Sequence, residues 1–137
     1  MAVGIKVGSI TDEIGTPAFF HAFFSTVSSN LEDGWGSRFP VLFKNLYQGN
    51  LDAGLAATAI KELNQVKEEL AAIAPDKVVW DIEDRSKQPP WGSHISPGIT
   101  SLANYFVTST GRDLISTMIE ALDDAATQNK PVSIVQC

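Results

Sequence analysis

Three carboxylates stand together near the middle of the chain, in Asp81-Ile82-Glu83-Asp84, with Lys87 and His94 shortly after them. Carboxylates in such a run can hold a divalent cation or share a proton. A small metal-dependent hydrolase using Asp81, Glu83 and His94 is therefore one chemistry these residues allow. The spacing argues against a metal-dependent nuclease, because no acid-x-lysine step follows Asp81. A simpler role is structural: Asp81 or Glu83 would pair with Lys6 across a sheet, and Asp84 would end a strand. A third role is a recognition face for a basic partner.

The remaining chemistry-bearing residues form no motif. His21 and His94 have no ligand spacing with each other or with Cys137, short of the four nitrogen or sulfur ligands of a structural zinc site; both read as solvated or core-edge histidines. Gly34-Trp35-Gly36 lacks the third glycine of a dinucleotide fingerprint and follows no strand pattern. There is no Gly-Lys-Ser/Thr phosphate cradle and no Gly-x-Ser-x-Gly elbow. No cofactor is expected. Two tryptophans sit in glycine-containing loops, Trp35 after Glu32 and Asp33, and Trp91 behind Pro89 and Pro90. Loop tryptophans either anchor interfaces or cap small cores.

These residues must be positioned by an alternation of strands and helices. Val78, Trp80 and Ile82 alternate with Val79, Asp81 and Glu83, which predicts a central strand with one apolar and one acidic face. Val3, Ile5 and Val7 predict a first strand over about residues 2–10, with Gly4, Lys6 and Gly8 on its other face. Residues 11–16 read as a loop. Thr16-Pro17 is an N-cap with a first-turn proline. Phe19, Phe20, Phe23, Phe24, Val27 and Leu31 then follow at helical spacing and carry the heaviest apolar load in the chain. A short helix is predicted at Val41–Tyr47, and a long amphipathic one with Ala56, Ile60, Leu63, Val66, Leu70 and Ile73 as its stripe. Pro89, Pro90 and Pro97 make residues 86–98 a loop, and residues 100–108 fit either a helical turn or a short strand. A last helix carries Leu114, Ile115, Met118, Ile119 and Leu122, and Val132–Gln136 closes the chain as a strand. The fold class is α/β in the broad sense (α+β): three to four strands with about four helices, mainly on one face. The final strand–helix–strand unit predicts a parallel pair with a right-handed crossover.

At 137 residues the chain reads as a single domain, 1–137, large enough to bury a core without staples. Sixteen acids against ten bases give a net charge of −6 and a pI near 4.7. That balance argues against nucleic acid and anionic membranes as partners and suits a basic protein. One cysteine, Cys137, permits no intrachain disulfide and fits a reducing cytoplasm. No signal peptide and no membrane-spanning run is read.

The order of several short words carries more than any period. Val3-Gly4-Ile5-Lys6-Val7-Gly8-Ser9, Phe19-Phe20-His21-Ala22-Phe23, Arg38-Phe39-Pro40, Leu46-Tyr47-Gln48-Gly49, Val79-Trp80-Asp81-Ile82-Glu83-Asp84, Pro89-Pro90-Trp91-Gly92 and Tyr105-Phe106-Val107-Thr108-Ser109 before Gly111-Arg112-Asp113-Leu114 stand in an order that resembles the immunity protein 70 family over nearly the whole chain. The resemblance implies an immunity protein of a bacterial polymorphic toxin system, encoded beside a toxin and protective by binding the toxin domain. The expected mechanism is occlusion without catalysis. Candidate partner-binding residues are Glu32, Asp33 and Trp35 in one loop, and Asp81, Glu83, Asp84, Trp91 and His94 around the central stretch.

Overall fold

The computed structural model describes all residues, 1–137. Val3–Val7 (β1) turns through Gly8-Ser9 into Ile10–Gly15 (β2), with Val7 opposite Ile10. A two-residue hairpin loop needs a residue at positive φ, and Gly8 supplies it at 60°. The segment expected as a loop is thus an edge strand. Its polar Thr11-Asp12-Glu13 belongs there, because an edge strand faces water along one side.

Thr16 caps the next helix, Pro17–Leu31 (α1), its hydroxyl accepting from Phe19 N–H at 3.1 Å. A π-helical turn, Leu42–Leu46, replaces a regular short helix. Asn50–Leu51 (β3) is a two-residue strand before Ala56–Leu70 (α2). Asp113 caps Leu114–Gln128 (α3) by accepting from Ser116 N–H at 3.0 Å, and Val132–Gln136 (β4) ends the fold.

The sheet is antiparallel throughout, in the order β2-β1-β4-β3. α1 and α3 pack on one face of the sheet, where Ile5, Val7, Ile14 and Val132 point inward, and α2 packs against α3 and α1. The other face carries Lys6, Thr11, Ser133 and Val135 without a covering helix. This is the α+β two-layer arrangement expected. All seven phenylalanines are buried, and edge-to-face contacts link Phe23 to Phe24 and Phe106, and Phe24 to Phe43. Each buried ring contributes about 1.5–3 kcal/mol from burial.

Two expectations fail together. Residues 78–84 form no strand, and the final β4 pairs antiparallel with β1 and β3, so there is no parallel crossover. The reason lies in what satisfies the backbone of residues 77–82. Asn30 donates to Lys77 C=O at 3.1 Å. The Thr26 hydroxyl accepts from Val79 N–H at 3.0 Å and donates to Val79 C=O at 3.1 Å. Ser25 Oγ accepts from Ile82 N–H at 3.1 Å. The segment runs along α1, paired with helix side chains where a strand would pair with backbone. Trp80 alone of its apolar alternation is fully turned into the core.

From Val78 to Arg112 the chain holds no helix and no strand longer than a single bridge at Val107. The ambiguous residues 100–108 are a turn followed by that bridge. Long irregular segments inside compact domains commonly serve binding. Here the segment runs along α1 from Asn30 back to Phe19, and it carries Asp81, Glu83, Asp84, Trp91 and His94.

Candidate functional site

Two clusters flank α1, joined by residues 81–91. The first is polar and centred on His21. Its Nε2 lies 3.2 Å from Asp81 Oδ1 and its Nδ1 lies 2.7 Å from Tyr47 Oη. A carboxylate only accepts, so in the neutral ring Nε2 carries the proton. Nδ1 must then accept from the Tyr47 hydroxyl. Lys87 Nζ reaches Asp81 Oδ2 at 3.5 Å, and Glu83 N–H donates to Asp81 Oδ1 at 2.9 Å. That backbone N–H, with His21 and Lys87, holds the Asp81 carboxyl below the usual carboxylate range. Burial, with Glu83 and Asp81 nearby, pushes the Tyr47 hydroxyl up. Trp35 closes the cluster, its ring centroid 4.7 Å from Phe43, 5.2 Å from Tyr47 and 5.9 Å from His21.

The expected pairing of Asp81 or Glu83 with Lys6 does not occur; Lys6 projects from the uncovered sheet face, and Asp81 pairs with His21 and Lys87. Asp84 turns back on Ser86, whose N–H donates to it at 3.2 Å. Glu83 faces water.

Glu32 and Asp33 differ in role. The Glu32 carboxylate accepts from Gly36, Arg38 and Phe39 N–H groups, all at 3.0 Å, and so organises its own loop. Arg38 ties that loop to α2 through a two-pronged contact with Glu69, at 2.7 and 2.6 Å. This contact and Gln65 hold the Glu69 carboxyl down at about 2. Gly36 sits at φ 78°, where a Cβ would come within 3.2 Å of Phe43 Cβ, so only glycine lets Trp35 turn onto Phe43. Asp33 remains exposed.

The second cluster is apolar. Trp91 stacks edge-on against Trp80 at 5.4 Å and donates its indole N–H to Tyr105 Oη at 2.8 Å. It stays 37% exposed, beside Ile95 at 36% and Val107 at 44%. Trp91 and Val107 each wall two neighbouring clefts, of about 200 and 220 Å³. His94 lines the first of these, away from Asp81 and Glu83.

Asp81, Glu83 and His94 therefore do not converge, and no three histidine, cysteine, aspartate or glutamate side chains are arranged to hold a metal ion. None of the five surface clefts includes His21, Tyr47 or Asp81 in its wall. The hydrogen-bonded chain can relay a proton, but it opens onto no cleft that would seat a substrate. Both points count against a hydrolase centre at these residues. Sequence reasoning missed Tyr47 and Lys87 as members of the polar cluster and placed His21 only at the core edge. The signal was present on α1. His21, Ser25, Thr26 and Asn30 form a polar stripe on a helix otherwise loaded with phenylalanine, and buried polar residues in such a place need partners.

The fold is that of a small α+β domain with helices on one side of a short antiparallel sheet. The model of the family described as immunity protein 70 matches residues 5–134. The chain belongs to the immunity protein 70 family. No curated protein and no solved structure gave a match. No helix is long and apolar enough to cross a membrane.

Proposed function

We propose that this protein binds a cognate toxin domain encoded nearby and neutralises it by stoichiometric occlusion in the cytoplasm, with no bond made or broken by its own side chains. Family membership over residues 5–134 is the observation that carries this reading. The net charge of −6 supports a basic toxin, and a nuclease is the case that fits best, because carboxylates can stand in for phosphates in a positive groove. The outward acids Asp33 and Glu83, with Trp35 between the loop and the His21 cluster, supply that face. Glu32, Asp81 and Asp84 act through the backbone they hold, as positioning residues.

Reversing Asp33 and Glu83 together to lysine, with toxin binding followed by calorimetry and stopped flow, tests the electrostatic part. The expected result is a slower association at low salt and a weaker dependence of that rate on salt. Unchanged association with an intact fold would remove this face from the interface.

A further inference from the structure

Trp91, Ile95 and Val107 are three of the six large hydrophobic side chains that the chain leaves exposed, and they border one surface. Two apolar clefts meet there along the ridge of Trp91 and Val107, floored by Phe19 in both and by Trp80 in one. The ridge is built to keep its shape. Trp91 is fixed from three sides: the backbone behind it is set by Pro89 and Pro90, its ring lies against Trp80, and its N–H is bonded to Tyr105. An exposed aromatic whose rotamer is already set loses little freedom on binding.

The charge around this surface differs from that of the whole molecule. The walls of the two clefts contain no carboxylate, although the chain carries sixteen acids. The adjoining cleft, which shares Trp80 with one of them, holds Arg85 and Lys87. A partner seated here meets apolar surface with Arg85, which makes no ion pair, beside Trp80; Lys87 is held by Asp81, and Glu13 is bonded to the wall residue Ser109.

We infer that this is the anchoring surface for the toxin domain, and that the toxin presents to it an apolar segment flanked by at least one carboxylate. The inference rests on the immunity reading above and deepens it. The face with Glu83 governs how fast the two proteins meet, and the Trp91 ridge governs how slowly they part. Buried apolar anchors at the centre of an interface carry most of its affinity.

The test uses the full chain, the neighbouring toxin domain, and the variants Ile95→Asp and Val107→Asp, singly and together; both side chains are exposed, so folding should survive. Circular dichroism and the thermal midpoint confirm the fold, and calorimetry with surface plasmon resonance gives affinity and rates. The expected result is a loss of at least 100-fold in affinity for the double variant, nearly all of it in dissociation and little altered by salt. Trp91→Ala should lose affinity to a similar degree. Wild-type affinity in a folded double variant would overturn the inference while leaving the immunity reading standing. If the free chain is a dimer that Val107→Asp splits without effect on the toxin, the surface serves a second copy and the inference fails. If the wild-type chain does not bind the toxin at all, the immunity reading fails and this inference with it.

Discussion

At the scale of single residues, carboxylates do most of the positioning. Glu32 holds the loop that carries Trp35, Glu62 accepts from the Val41 and Leu42 N–H groups that open the π-helical turn, and Glu69 grips Arg38. Burial raises the Glu62 carboxyl, whereas Arg38 depresses Glu69 from 4.5 to about 2. The Glu69 shift fixes the sign of one pH effect. Its folded value lies below its unfolded one, so its contribution is complete above about pH 4.5 and disappears as the pH falls through about 2. The pair is partly exposed, which limits it to about 0.5–1 kcal/mol. Urea denaturation of the wild type and Glu69→Gln should show that gap at pH 6 and none at pH 2. A gap that persists at pH 2 would mean the glutamine disturbs packing and not an ion pair.

At the scale of elements, the junction between α1 and residues 77–82 decides the geometry of the site. One hydroxyl, on Thr26, satisfies both backbone groups of Val79. Thr26→Val keeps the shape and removes both bonds, so it should cost about 1–3 kcal/mol. Hydrogen exchange at the Val79 amide should quicken sharply, with α2 and β1 little changed. Unaltered protection at Val79 would show that something other than Thr26 holds the segment. This junction also marks where the sequence stops being legible. Alternation in Val78, Trp80 and Ile82 is a sound strand signal, yet it reports only which side chains face inward and not what the backbone pairs with. The aromatic run of α1, its Thr16-Pro17 start, β1 and the closing strand were readable because each rests on local spacing. β2 was not, because an edge strand needs apolar residues on one face only, and its turn is two residues long. The separation of His94 from Asp81 and Glu83 depends on how the stretch from Val78 to Arg112, without regular structure, is folded back, which no local pattern records.

At the scale of the whole molecule, the aromatic core around α1 is the rigid body against which both clusters are set. Phe24 touches Phe20, Phe23, Phe43 and Tyr47, which links the helix to the π-helical turn beneath Trp35. Phe24→Ala should cost about 3–5 kcal/mol in urea denaturation, and the Trp35 fluorescence should shift to the red as its support loosens. On this frame the protein presents an acidic rim on one side of residues 81–91 and an apolar ridge on the other, a combination suited to covering another protein. The most direct test is a titration of the toxin domain's activity with increasing amounts of this chain at concentrations far above the dissociation constant. Occlusion requires activity to fall linearly and end at one molecule per toxin, with full activity returning when the complex is taken apart. Complete inactivation by a small fraction of an equivalent, growing with time, would contradict it, because that is the behaviour of an enzyme acting on the toxin.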